Sequence, residues 1–436
     1  MRVFTEPLTQ LQGYEELEQA VQKTEGVILV SGCIDAVKPH IVYSVHNGSG
    51  NRIIVTFHEQ KAKELLEEYR FFDKNVAYYP AKDILFYQSD IRGNVLTSER
   101  INALKMMAEE KECTIITTFD GLMNPMPAPE KFIQAVKKIS VGDTVELNGL
   151  TRHLVELGYE KNYQAETMGE FSVRGGIIDI FPLTEETPFR IELWGDEVDS
   201  IRSFDPESQR SIEKIERFEA FPATECLLSE EEIARGREKL QEELAGQLTA
   251  FGNDKKKKTA EDIEKCNRIR RNVADMERTG DYSKALRMFA EELTGFLSYF
   301  PKEGTLFVLD EPNRLNERME LILYEYTESM KNRLEGGYIL PGQTDMIHGI
   351  ESIYAGLEKK RTLLLSALDY KPEKFAVAEY VRIDTRSISP YHNSFEYLAD
   401  DLKKYKRSGY KSILVCNSRT RAARIVQDLA DLGLTA

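Results

Sequence analysis

The sequence is poor in the features that usually announce a bound group. It has five cysteines in 436 residues: Cys33, Cys113, Cys226, Cys266 and Cys416. No two form a Cys-x-x-Cys pair, and no Cys/His cluster has metal-ligand spacing, so neither a zinc ribbon nor a redox pair is expected. Scattered thiols suit a reducing cytoplasm, which is the expected location. No apolar run approaches the ~20 residues of a membrane span, and the N-terminus carries no signal-peptide pattern, so no membrane partner is expected. Positive charge is short as well. The 58 Lys and Arg stand against 73 Asp and Glu, a net charge of −15. A protein that wraps nucleic acid is usually basic on at least one face. The dense basic run here is Lys255 to Lys258, which reads as a solvated loop. A DNA grip built from that run with Arg268, Arg270 and Arg271 is therefore a secondary reading.

What is present has the composition of a globular protein, 41% apolar and 30% charged. The length allows about three domains. Apolar strands at Val27 to Ser31, Ile53 to Thr56, Val76 to Tyr79 and Thr114 to Thr118 alternate with helical segments at Glu15 to Lys23 and Glu59 to Tyr69. A further helix is expected to start at a Thr97 cap. This alternation implies a parallel sheet with crossover helices. Met123 to Pro129 leads out of it. Ser229 and Glu232 are spaced as a capping box opening a helix to about Thr249. Helices are expected over Ala260 to Arg278, Ser283 to Leu297 and Leu315 to Asn332. Near the end, a strand is expected at Ile413 to Cys416. It precedes a helix with Ala422, Ile425, Val426 and Leu429 facing inward.

After the first strand comes Gly32-Cys33-Ile34-Asp35-Ala36-Val37-Lys38-Pro39, where a phosphate-binding loop would lie. That motif is GxxxxGK[ST]. Gly32 and Lys38 keep the spacing. Val37 replaces the glycine that lets backbone amides approach phosphate. Pro39 replaces the hydroxyl that ligates magnesium. The loop reads as degenerate, with Gly32 a turn and Lys38 solvated. Thr305 to Leu309 is an apolar strand ending in Asp310-Glu311, the pattern of a magnesium-water acid pair, equally degenerate without an intact loop. No catalytic residue is assigned.

One stretch stands apart, from Gly169 to Arg210. Phe171 and Val173 alternate with Ser172 and Arg174. Gly175-Gly176 marks a bulge or close backbone approach. Ile177 to Phe181 is apolar but carries Asp179. Pro182 to Pro188 reads as a hairpin connection. Phe189, Ile191 and Leu193 then alternate with Arg190, Glu192 and Trp194, which places the chain's one tryptophan on an outward face with an arginine. Trp and Arg are enriched at binding hot spots. The plainer reading makes Trp194 a sheet rim and pairs Arg190 with Glu192.

The runs RGG-IIDIFP, PFRIELW and DSIRSFDPESQRS resemble, in order, a domain shared by the excision-repair helicase UvrB and the bacterial transcription-repair coupling factors (the Mfd family). Ile84 to Leu96 is too short for UvrB's DNA-verifying hairpin, which favours the coupling factors. The resemblance covers about the first 370 residues well and the remainder weakly. It implies an α/β fold: a degenerate RecA-like helicase lobe with an inserted small strand-rich α+β domain, then a small α/β C-terminal domain. The implied division is 1–137 and 223–370 for the lobe, 138–222 for the insert and 371–436 for the last unit. The implied role is recruitment of UvrA to stalled RNA polymerase, with Arg174, Arg190 and Trp194 as the UvrA-binding positions. Trp194 stands where the family often has phenylalanine. No cofactor is expected in this chain. ATP, magnesium, RNA polymerase and duplex DNA would engage parts of the longer family protein absent here. A monomer is the expected state. The alternative implied by the same resemblance is a truncated UvrB-like lobe that binds ATP.

Overall fold

The computed structural model describes residues 5–45, 50–82, 93–109, 112–252, 260–300, 304–392, 394–416 and 418–434. The expected absence of a hairpin between Ile84 and Leu96 falls mainly on 83–92, and Lys255 to Lys258 on 253–259. Both segments lie outside the described residues.

A seven-stranded parallel sheet forms the larger body. Its order is Val377–Arg382, Val27–Ser31, Thr362–Leu365, Thr305–Asp310, Asn51–Thr56, Thr114–Thr118, Val76–Tyr79. Side chains alternate between the faces of a strand. Val27 and Leu29 enter one apolar cluster while Ile28 and Val30 enter the other. Both faces are therefore covered, which explains why these strands are continuous apolar runs. The architecture is a RecA-like α/β lobe carrying an insert. The chain leaves the sheet after Thr118 and returns at Thr305. Between them lies a second sheet in the order Ser211–Ile215, Glu197–Phe204, Phe189–Trp194, Ile177–Ile180, Glu170–Arg174, Glu160–Lys161. Its inner face packs Phe171, Ile178, Ile180, Ile191 and Ile201 against Leu150 and Leu154 of helix Leu147–Glu156.

The expected capping box is formed: Ser229 N donates to Glu232 Oε2 at 2.8 Å, and Glu232 N to Ser229 Oγ at 3.1 Å. It opens helix Glu230–Gly252, which pairs with Ala260–Thr279.

Several local expectations are corrected. The helix meant to start at Thr97 spans Gly93–Ala108. The expected helix from Ser283 to Leu297 is broken into Ser283–Ala285, Leu286–Phe289 and Phe296–Tyr299, because Leu293–Thr294 pairs with Met126–Pro127. Gly175-Gly176 is a two-residue hairpin turn rather than a bulge, while the close backbone approach is present, since a Cβ on Gly176 would sit 2.9 Å from Leu193 O. Residues 413–416 are not a strand. Among the described residues no strand pairs with them, and Ile413, Leu414 and Val415 are exposed. Val426 also faces out, while Leu429 is buried. Strand Val377–Arg382 joins the large sheet from beyond residue 370, so the lobe's sheet does not end there.

Candidate functional site: an arginine surface and a closed loop

Register builds the first site. Hairpin pairing sets Arg190 opposite Asp179, and Ser172 opposite Asp179 on the other side. Arg174 lies two residues along the same face. Asp179 is 1% exposed and accepts three charge-assisted bonds. Its Oδ1 takes Arg190 Nε at 2.6 Å, while its Oδ2 takes Arg190 Nη2 at 2.9 Å and Arg174 Nη2 at 2.6 Å. Arg190 Nη2 also donates to Gln209 Oε1 at 2.8 Å, and the guanidinium lies 4.4 Å from the centroid of the Phe204 ring. The hydrogen bonds that Arg190 donates to Asp179 favour its charged form and raise its pKa against the opposing effect of burial. The pairing of Arg190 with Glu192 does not occur. Glu192 bonds Arg202 and Ser200 instead. Trp194, where the strand ends, is 84% exposed. The structure thus brings Arg174 and Arg190 together on one carboxylate and leaves Trp194 bare on the same strand as Arg190.

Neither Asp179 nor Gln209 was singled out by sequence reasoning. Asp179 was legible as the carboxylate inside an apolar strand, opposite Arg190 once the hairpin connection is fixed. Gln209 was not. It reaches Arg190 because its backbone is left-handed, with φ 58°.

The second site is the degenerate loop. Lys38 is 2% exposed, which overturns the solvated reading. Its ammonium donates to Asp310 Oδ1 at 2.7 Å, Glu311 Oε1 at 2.6 Å and Asp35 Oδ1 at 2.8 Å. All three of its N–H groups are used. Burial alone would lower the Lys38 pKa, but Asp310, Asp35 and Glu311 outweigh it and raise the value. Thr56 Oγ1 donates to Asp310 Oδ2 at 2.8 Å, and Ala367 N to Glu311 Oε1 at 2.9 Å. Lys61 reaches Asp35 Oδ2 at 3.1 Å. Local pattern could not reveal this cluster, since Lys38 and Asp310 lie 272 residues apart. Oxygens of Asp35, Asp310 and Glu311 lie within 4.8 Å of one another, but they surround an ammonium.

The loop's amides are also engaged. Cys33 N donates to Ser366 O, Ile34 N to Thr385 Oγ1 at 3.0 Å, and Val37 N to Ile34 O. Thr385 Oγ1 in turn donates to Gly32 O at 2.6 Å. A Cβ on Gly32, where φ is 76°, would sit 2.0 Å from Ile383 O. So Gly32 is a close-approach position for the chain's own strand. Burial pushes the Cys33 thiol up to about 12, so it is no nucleophile at neutral pH. These residues do not fit a magnesium nucleotide: the Cys33, Ile34 and Val37 amides have protein acceptors, the lysine is neutralised, and Pro39 supplies no hydroxyl.

Residues 138–226 match the family model described as the UvrB interaction domain. Along the chain, the transcription-repair-coupling factor of Bacillus subtilis (strain 168) is 30% identical over 365 residues, covering 84% of this chain and 30% of that protein. The transcription-repair-coupling factor of Staphylococcus aureus (strain bovine RF122 / ET3-1) is 25% identical over 449 aligned positions, covering 100% of this chain and 37% of that protein. The chain thus spans about a third of the length of the relatives it matches. Over most of its length the chain is similar to part of the transcription-repair-coupling factors.

Proposed function

We propose that this chain docks UvrA on the outward edge of its small sheet, and so brings excision repair to a polymerase stalled on DNA. The observation that carries this reading is the exposed Trp194 on the strand that carries Arg190, one of an arginine pair that is only partly neutralised, inside the segment that matches the UvrB interaction domain. Arg174 uses one of its five N–H groups on Asp179. Among the described residues its remaining donors meet no acceptor that would compete with a partner. A guanidinium with free donors fits a carboxylate, and an exposed indole gives an apolar anchor. The partner surface that suits this edge is therefore acidic with an apolar seat.

In this reading the large lobe is a scaffold without nucleotide turnover. RNA polymerase contact and ATP-driven movement on duplex DNA belong to the two thirds of the longer relatives that this chain does not span. The full chain is assigned to the cytoplasm as a monomer.

Calorimetric titration of the chain with UvrA from the same source tests the docking. Arg174→Ala and Trp194→Ala are each expected to cost about 2 kcal/mol of binding, near thirtyfold in affinity. Failure of the native chain to bind, or native-like affinity in both variants, rejects the reading.

A further inference from the structure

Arg190 is a poor candidate for a simple contact residue, since its side chain is 13% exposed against 37% for Arg174. Three of its five N–H groups already have protein acceptors, two on Asp179 and one on Gln209. Asp179 itself is sealed, with a side chain 2% exposed, and cannot meet a partner directly. Yet it is the atom group on which both arginines converge. Gln209 closes the other side. Its Nε2 donates to Pro206 O at 2.8 Å and its N to Asp205 O at 2.8 Å, so the carboxamide is held from its own loop. Gln209 is also one of three non-glycine residues with positive φ among the described residues, a backbone state that persists only where surroundings enforce it.

We propose that Asp179, assisted by Gln209, is the positioning residue of the docking surface. This rests on the docking reading above. Asp179 fixes the two guanidinium planes before the partner arrives. Arg174 then keeps its free donors at the exposed end of its strand, and Arg190 is the strut between Asp179 and Gln209. Long side chains lose rotamer freedom on binding, and a side chain already held loses less.

The sign of the effect separates positioning from simple electrostatics. Replacing Asp179 by Asn keeps the shape and adds one unit of positive charge. If Asp179 only competed with the partner's carboxylates, Asp179→Asn would bind UvrA more tightly. If Asp179 positions the arginines, the variant binds about tenfold more weakly, with a faster off-rate and an on-rate that does not fall. Gln209→Ala, which removes the acceptor without touching the buried carboxylate, is expected to lose about threefold.

The same variants are read without any partner. The Nε–H proton of Arg190 in the native chain is expected to exchange slowly with solvent, and to exchange fast in Asp179→Asn. Thermal unfolding of each variant shows that the fold is kept. Fast exchange in the native chain, or unchanged exchange in Asp179→Asn, overturns the positioning role. So does unchanged or tighter binding of UvrA by a folded Asp179→Asn. If the native chain fails to bind UvrA, the docking reading falls, and the exchange measurement still decides what Asp179 does.

Discussion

The two clusters use the same ingredients in opposite proportion. At the degenerate loop, one lysine serves Asp35, Asp310 and Glu311, and every donor of that ammonium is consumed. On the small sheet, one carboxylate serves two arginines, and donors remain. Proportion alone is not what opens a site. Glu225 also serves two cations, Arg100 and Lys82, yet that cluster is closed. Arg100 donates to Glu225, to Pro80 O, to Asn124 and to the Tyr79 hydroxyl, so each of its five N–H groups has an acceptor. The difference lies in unused hydrogen-bond capacity at an exposed edge. Lys38 and Arg100 hold the lobe together. Arg174 has capacity left for another molecule.

The comparison breaks first at Lys38, where the largest effect is expected. Lys38→Met keeps the length and removes the cation, leaving Asp310 buried beside Glu311 with only the Thr56 hydroxyl and the Ala367 amide as donors. Breaking one side of a buried ion pair costs roughly 3–5 kcal/mol. Urea unfolding should show this as a lowered midpoint. The pH dependence should also change. In the native chain the raised Lys38 pKa gives a stabilisation that is full below the ordinary lysine value and fades only as pH rises through the folded value. Lys38→Met has no ammonium to lose, so that alkaline loss of stability should be absent from the variant.

Glu225 comes next. Its burial disfavours the charge, but Arg100 and Lys82 more than offset that and lower its pKa to about 2 from an ordinary 4.5. A depressed carboxylate stabilises above its unfolded value and loses that contribution as pH falls through the folded one. The window is therefore pH 4.5 down to about 2. The amount is on the order of 3 kcal/mol. Unfolding midpoints followed from pH 7 to pH 3 should fall more steeply for the native chain than for Glu225→Gln. A smaller effect is expected at Arg174, on the open side of the comparison. Arg174→Ala should leave the unfolding midpoint within about 0.5 kcal/mol of native, since its side chain is 37% exposed. An equal loss of stability and UvrA binding would mean that Arg174 is a structural residue like Arg100.

Much of this was legible in the residues and some was not. Period-2 and apolar-run patterns located the parallel strands from Val27 to Thr118, because burial on both faces leaves a continuous apolar signature. Alternation in Phe189–Trp194 pointed Trp194 outward, and the structure leaves it 84% exposed. The same alternation missed that Arg190 is covered, since the covering groups, Asp179 and Gln209, come from a neighbouring strand and a loop. The motif spacing of Gly32, Val37, Lys38 and Pro39 suggests a degenerate loop. It could not tell what fills such a loop, because Asp310 and Thr385 arrive from 272 and 353 residues away. The expected strand at Ile413 to Cys416 has the right side chains, yet strands need a neighbour to bond, and propensity does not supply one.

Thr385 gives the finest test of the closed side. Its hydroxyl accepts from Ile34 N and donates to Gly32 O, standing in the loop where phosphate oxygens would take backbone donors. Thr385→Val keeps the shape and strands one amide and one carbonyl, a loss of about 1 kcal/mol. Hydrogen exchange at Ile34 should quicken, while the core strand Val27–Ser31 stays protected. Lys38 would remain held by its three carboxylates, so a labelled nucleotide analogue should still fail to bind. Nucleotide binding by Thr385→Val would mean that one hydroxyl, rather than the neutralised lysine, keeps the loop shut. Retained exclusion would put the closure on Lys38, and the degenerate loop would then be the seat of strand Val377–Arg382 rather than a weakened nucleotide site.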